Sequence, residues 1–220
     1  YELKKIKLLI CRQNLYEAGA LAHLANIQDG LNGISLQNLH RGGKHGIWDK
    51  ILFEFLYTKN QAGEPWSPES GSTYEPYYNH GQYIAGWSYM GSGLGTPFIG
   101  NRDHIKDNLP RHPEEYFINN RVIAMHFGCE GTISNVGYMF KASWSKNYGT
   151  YRTTDEAQST GLTSPGEYGI FGEQKQISTY LHLSKNLKNG IYVGFIAAAD
   201  FGDLYINSFG TFLTASYKFR

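Results

Sequence analysis

The chain has 220 residues, a formal net charge of +1 and a mean hydropathy of −0.42, with 17 Tyr and 26 Gly. This net charge does not indicate a nucleic-acid-binding surface. No run approaches the roughly 18 apolar residues that a membrane helix needs. Any membrane span must therefore consist of β-strands, and the Tyr and Gly content suits strands, interfacial aromatic girdles and tight turns.

The amino-terminal segment from Lys4 to Cys11 superficially resembles a lipoprotein signal. Its apolar part is shorter than the roughly 7–15 residues of a signal core, and Ile10 is bulkier than the small residue usual before cleavage. We therefore predict a strand over 6–16 and expect any export signal to lie upstream of Tyr1. Two further strands are predicted over 31–39 and 51–59.

A long connection is predicted over 60–119, and it is rich in aromatic residues. These are Trp66, Tyr74, Tyr77, Tyr78, Tyr83, Trp87 and Tyr89. Aromatic faces interleaved with polar groups suit sugar rings, whose CH faces stack on aromatic rings while the hydroxyls need hydrogen-bond partners. For any single member, packing of the loop against itself is the alternative explanation.

The carboxyl half carries the clearest period-two alternation of apolar and polar residues. It predicts strands over 121–130, 135–146, 175–184, 190–200 and 209–219. Each is near the roughly 9–11 residues that a tilted strand needs to cross a bilayer. The last one, which ends at Phe219, resembles the terminal segment by which outer-membrane β-barrels are recognised for insertion, although Arg220 follows the aromatic residue.

The predicted connections alternate in length. A tight turn is expected at 130–132, a short connection over 185–189, a long loop over 147–173 and an intermediate connection over 201–208. Short periplasmic turns and long external loops are typical of outer-membrane barrels. The predicted fold class is therefore all-β, an antiparallel up-and-down transmembrane β-barrel of about eight strands in the bacterial outer membrane, with an external loop region at about 60–119.

The sequence gives little evidence for a catalytic site or a metal site. The eight histidines have no metal-ligand spacing, and Cys11 and Cys129 are interpreted as isolated thiols. The predicted inward faces carry His126, His182, Ser178, Glu130 and Asp200, from which a Ser–His or carboxylate arrangement could be assembled. However, any barrel lumen demands inward polar residues, and no segment has a nucleophile motif. We expect no enzyme, no cofactor and no metal.

Several segments of the amino-terminal half resemble the Wzi capsule-assembly family of outer-membrane proteins in their order and spacing. These segments are 12–17, 29–33, 54–63, 77–80 and 86–89. The resemblance implies a large β-barrel whose external loops help to attach capsular or other exported polysaccharide to the cell surface, as a lectin and not an enzyme. The resemblance also implies a barrel of about eighteen strands with an additional helical part, whereas this chain supplies about eight strands. We therefore expect residues 1–220 to be a single barrel domain or the carboxy-terminal portion of a larger barrel, completed by further strands or a partner chain.

The glycan-binding residues are chosen by residue type and by position in the predicted external loop. They are Trp66, Tyr77, Tyr78, Asn79, His80, Trp87, Tyr89, Arg102, Asp103 and His104. The aromatic members would stack on sugar rings, and the cationic ones would favour acidic glycans through charge-assisted hydrogen bonds. The expected partners are surface polysaccharide and outer-membrane lipid. Two alternatives stay open: an outer-membrane channel or transporter for a small or oligomeric solute, and a soluble β-sandwich lectin.

Overall fold

The computed structural model describes residues 2–3, 5–15, 24–39, 47–63, 75–154, 167–187 and 190–217. One antiparallel sheet of nine strands dominates it. The sheet contains β1 (Glu2–Leu3), β2 (Ile6–Gln13), β3 (Gly30–Asn38), β4 (Lys50–Tyr57), β9 (Val122–Ile133), β10 (Val136–Asn147), β11 (Gln174–Asn186), β12 (Ile191–Gly202) and β13 (Ser208–Tyr217). The connection from β4 to β9 contributes two small pairs, β5 (Ser88–Tyr89) with β6 (Ser92–Gly93) and β7 (Gly100–Asn101) with β8 (Phe117–Asn119).

The strand order follows the chain, because each long strand pairs with the next long strand. The only helical element in the described ranges is a 3₁₀ turn at Tyr151–Thr153, and no helix in them is long and apolar enough to cross a membrane. The all-β antiparallel meander of eight long strands is thus confirmed. The sheet is open across the described residues, since β1 and β13 do not pair with one another, and barrel closure stays a prediction.

The turn between β9 and β10 lies at Ser134 and Asn135, so the predicted turn at 130–132 is wrong. Both turn residues have positive φ, 49° and 65°, which is the conformation of a two-residue hairpin turn that follows the sheet twist. Gly131 instead stays in the strand, paired with Tyr138. A Cβ on Gly131 would lie 2.2 Å from the Ile47 carbonyl oxygen, so a close main-chain approach requires this glycine.

The two faces of the sheet differ sharply in chemistry. One cross-strand row, on what we call the apolar face, consists of Ile10, Ile34, Phe53, Phe127, Ala142, Thr179, Ala199 and Phe209. The neighbouring row, on what we call the cavity face, consists of Cys11, Gly33, Glu54, His126, Ser143, Ser178, Asp200 and Ser208. Successive side chains of a strand point to opposite faces, so this alternation extends along the strands.

Four connections leave the sheet at one end, which we call the loop end. They are residues 14–29, 58–121, 148–173 and 203–207, whereas the opposite end has the connections 39–49, 134–135 and 187–190. From β9 onward, the connections alternate in length as predicted: 134–135 and 187–190 are short, 148–173 is long and 203–207 is slightly longer than the short ones. The connection 39–49 is longer than 203–207, so this difference between the two ends does not extend to the amino-terminal strands.

Most of the buried apolar side chains among the described residues lie in the connections at the loop end, while Leu56, Val122 and Ala124 are buried in β4 and β9. We call residues 75–121 the cap. Its members Ile105, Leu109 and Ile118 form a cluster with Phe171 and Leu204 from the two later loops. A second cluster of Tyr77, Ile99 and Phe117 lies within the cap. Because burial of apolar surface drives folding, the cap is a packed structure on the loop end and not a set of independent loops.

Candidate functional site

Tyr77 anchors the start of the cap to the rest of the molecule. Its hydroxyl donates to Asp29 Oδ2 at 2.7 Å, and the same carboxylate accepts the main-chain N–H groups of Asn60 at 2.9 Å and Gln61 at 2.7 Å. Burial raises the pKa of Asp29, and burial together with the Asp29 carboxylate raises the pKa of Tyr77. Tyr77 is 5 % exposed. It therefore has a structural role, with only part of its ring available to a ligand.

An open groove of about 740 Å³ lies on the outer surface of the cap, and we call it the aromatic groove. Its lining consists of Leu15, Tyr77, Tyr78, Asn79, His80, Tyr83, Gly86, Trp87, Ser88 and Leu94. Trp87 and Tyr83 are 62 % and 69 % exposed. Of the predicted site residues, five meet here: Tyr77, Tyr78, Asn79, His80 and Trp87.

Tyr78 forms the rigid base of the groove. Its ring packs edge-on against Phe117 with centroids 5.2 Å apart, and its hydroxyl accepts the Thr96 N–H at 3.0 Å. Its carbonyl accepts the Trp87 N–H at 2.7 Å. Gly86 makes this approach possible, since a Cβ there would lie 1.9 Å from the Tyr78 oxygen. The main chain of Trp87 is thus fixed although its side chain is open to solvent.

His80 and Tyr83 form the opposite side of the groove. The His80 Nδ1 accepts the main-chain N–H groups of Gln82 at 3.1 Å and Tyr83 at 3.3 Å. The two rings are 4.9 Å apart and tilted by 44°. These bonds leave Nε2 of His80 as the polar atom that can meet a ligand hydroxyl. Asn79, in contrast, uses its carboxamide on the main chain of Phe117.

Tyr89 lies beside the groove and not in its lining. It belongs to the β5–β6 hairpin, whose tip residues Met90 and Gly91 both have positive φ. Tyr89 is 68 % exposed and Met90 is 87 % exposed. The hairpin therefore extends the exposed apolar surface that begins at Trp87.

The charged part of the predicted site lies elsewhere. The Arg102 guanidinium donates to the carbonyl oxygens of Glu115 at 3.1 Å, His112 at 3.1 Å and Pro113 at 2.9 Å. The Asp103 carboxylate accepts the Tyr116 hydroxyl at 2.7 Å. Arg102 therefore braces a turn of the cap, and its Nε and Nη2 groups donate to main-chain oxygens. Trp66 lies outside the described residues.

A second cavity, of about 860 Å³, lies between the cavity face of the sheet and the underside of the cap. We call it the inner cavity. Its lining includes His104 together with His126, Ser178 and Asp200 from the inward set predicted from the sequence. Among the described residues, no group of three or more His, Cys, Asp or Glu side chains could hold a metal ion. Cys11 and Cys129 are free thiols.

Sequence reasoning left five groove residues out of the site: Leu15, Tyr83, Gly86, Ser88 and Leu94. Tyr83 lies in the aromatic run and could have been included on that ground. Leu94 follows the glycine-rich turn, and Leu15 comes from the β2–β3 connection, more than sixty positions earlier in the chain. No local pattern marks these two leucines.

Comparison of the chain with protein-family models, with curated proteins and with solved structures returns no significant match.

Proposed function

We propose that this chain is part of the wall of an outer-membrane β-barrel, and that its cap binds surface polysaccharide without catalysing a reaction. The membrane location is supported by the apolar face of the sheet. Leu213 is 85 % exposed, Phe209 70 % and Ile10 68 %. A sheet that exposes apolar side chains and encloses polar ones has the pattern of a transmembrane barrel wall. The resemblance to the capsule-assembly family supports the same function.

The aromatic groove is the observation that carries the glycan proposal. Trp87 and Tyr83 offer exposed rings on a fixed main chain, and His80 supplies a ring nitrogen in the same lining. A main chain that is already ordered reduces the entropy cost of binding. Such a platform suits the CH faces of a sugar ring, with the hydroxyls directed to His80 and to solvent.

The position of the charged groups alters the expected glycan chemistry. The groove lining contains neither Arg nor Lys, and Nε and Nη2 of Arg102 donate to carbonyl oxygens within the cap. Stacking and neutral hydrogen bonds would therefore dominate binding, and charge-assisted contacts to acidic sugars would contribute little. We accordingly expect only a weak dependence of binding on salt concentration.

Binding of purified protein in detergent micelles to a panel of neutral and acidic bacterial capsular polysaccharides, measured by biolayer interferometry, tests this function. Trp87→Ala and Tyr83→Ala should each weaken binding at least tenfold. Ile206→Ala is the matched control, because Ile206 is 73 % exposed in the β12–β13 loop, away from the groove lining. Equal binding by the two groove variants and the control would refute the groove as the site.

A further inference from the structure

The inner cavity has the size and the enclosure of a small-ligand site. Its volume of about 860 Å³ falls in the range of roughly 300–1,000 Å³ that is usual for ligand pockets. One wall is the cavity face of β4 and β9–β12, and the roof is formed by cap and loop residues that include Tyr78, Phe98 and Tyr205. Polar side chains thus face aromatic ones across the space.

Gln176 lines this cavity and carries a buried donor that has no acceptor among the described residues. Its side chain is buried, with 3 % exposure, and its Oε1 accepts the Tyr205 N–H at 3.2 Å. This bond fixes which end of the carboxamide is oxygen, so the other end is the NH₂ group. Nε2 makes no hydrogen bond with any part of the chain that the structure describes. A buried donor without an acceptor costs free energy, which a ligand oxygen would recover.

The side chains next to Gln176 offer donors and acceptors at short intervals. On the adjoining strand, Asp200 accepts the Ser178 hydroxyl through Oδ1, and its Oδ2 makes no hydrogen bond to a described residue. Further along the same cross-strand row, on β10 and β9, the Ser143 hydroxyl and the His126 Nδ1 are 2.7 Å apart. A sugar hydroxyl both donates and accepts, so it can meet each kind of group here.

The charges of the lining argue against an anionic ligand. Glu54 and Asp200 are carboxylates, and Lys141 is the single lysine or arginine among the lining residues. A phosphate or carboxylate ligand would be repelled by this excess of negative charge. The mixture of neutral donors, acceptors and aromatic rings instead favours a neutral ligand.

We propose that the inner cavity binds a neutral, hydroxyl-rich ligand of mono- to disaccharide size, with the Gln176 carboxamide donating to one of its oxygens. This site adjoins the aromatic groove, with which it shares the lining residues Leu15 and Tyr78, but the proposal does not depend on the function proposed for the groove. The aromatic side chains of the roof would cover one face of the sugar ring, and Asp200 would accept from its hydroxyls.

Isothermal titration calorimetry of the detergent-solubilised protein with glucose, galactose, N-acetylglucosamine, maltose and inorganic phosphate tests the proposal. The wild type should bind at least one of the sugars and not phosphate. Gln176→Glu keeps the acceptor for Tyr205 N–H and the side-chain volume but removes the donor, and it should weaken sugar binding at least tenfold. Gln37→Glu, the same change at an exposed position of the cavity face outside the cavity lining, should leave binding unchanged.

Asp200→Asn provides a second variant in case Gln176→Glu fails to fold. It retains an oxygen for the Ser178 hydroxyl and should weaken sugar binding about fivefold or more. The proposal is overturned if the wild type binds none of the sugars, if it binds phosphate instead, or if every folded cavity variant binds sugar as the wild type does. Polysaccharide binding by Trp87→Ala tests the aromatic groove separately. Failure of one proposal can therefore be distinguished from failure of the other.

Discussion

The Asn79 carboxamide binds the main chain of Phe117 through two hydrogen bonds: Nδ2 donates to the Phe117 carbonyl at 2.8 Å, and Oδ1 accepts the Phe117 N–H at 2.9 Å. The side chain thus pairs with Phe117 as a neighbouring strand would, although 38 positions separate the two residues. Asn79 is 8 % exposed and Phe117 is fully buried. The pair joins the groove to the core of the cap.

Asn79→Asp should destabilise the cap, because the carboxylate cannot donate to the Phe117 carbonyl. A buried acceptor that loses its donor costs about 1–3 kcal/mol. Thermal unfolding and amide hydrogen exchange of residues 75–121 in detergent would measure the change. Gln82→Glu is the control, because Gln82 is exposed and its side chain makes no hydrogen bond to a described residue. Its main-chain N–H, which donates to His80, is unchanged by the substitution. Equal exchange rates in the two variants would contradict the role of Asn79.

Gly86→Ala should disturb the groove from its base. The residue has φ of +54°, and its Cβ would lie 1.9 Å from the Tyr78 carbonyl oxygen. Strain of this kind costs about 1–3 kcal/mol, and relieving it would break the hydrogen bond from Trp87 N–H. We expect a lower melting temperature and weaker polysaccharide binding. Gly81→Ala should be tolerated, because a Cβ there meets nothing within 4 Å.

Acidification should weaken the cap through His112. Burial, and then the Arg152 guanidinium, lower the pKa of His112 below its usual 6.5, and the carboxylates of Glu114 and Glu167 oppose this only in part. The unfolded chain therefore takes up a proton before the folded one does, so the free energy of unfolding should fall as pH drops below about 6.5 and level off below the lowered pKa.

Thermal unfolding between pH 8 and pH 4.5 would measure how the stability contributed by His112 changes with pH. His112→Phe keeps a ring against Tyr168, which lies 4.6 Å from the His112 ring, and should give a shallower pH dependence than the wild type. His104→Gln changes an exposed histidine of the cap and serves as the control. A slope that is the same in His112→Phe and in the wild type would rule out His112 as its source.

A lysine should impair folding when it is placed on the apolar face of β13 but not when it is placed on the cavity face. Leu213 lies on the apolar face and pairs with Phe195, whereas Thr214 lies on the cavity face and pairs with Gly194. A lysine on the lipid side of a barrel costs about 2–4 kcal/mol near the bilayer midplane. Leu213→Lys should therefore reduce folding into lipid vesicles, monitored by protease protection and electrophoretic mobility. Thr214→Lys should fold nearly as the wild type, and equal folding of both variants would contradict a lipid-facing Leu213.

Strand positions could be predicted because alternation is a local property of the sequence. The strands over 135–146 and 175–184 were expected within two residues of their observed limits. The turn at 130–132 failed for a non-local reason, since Gly131 is required by its contact with Ile47 and not by a turn. Sequence alternation also placed Ser178 on the inward side, where it lines the inner cavity.

The site was less predictable, since its members are defined by tertiary contacts. Trp87 and His80 share one aromatic segment, so residue type and proximity in the chain were sufficient to select them. Arg102 was chosen for its charge, but carbonyl oxygens ten to thirteen positions away bind its guanidinium. The donor of Gln176 is notable only once Tyr205 is known to bind the other end of its carboxamide.

The open edge at β13 has a consequence for the main chain. In an antiparallel ladder, alternate residues direct their N–H and C=O groups to opposite neighbours, so about half of those in Ser208–Tyr217 point away from β12. Left unpaired in hydrocarbon, each such group would cost several kcal/mol. In lipid, a sheet of this kind would therefore need a further strand along β13 to pair these groups.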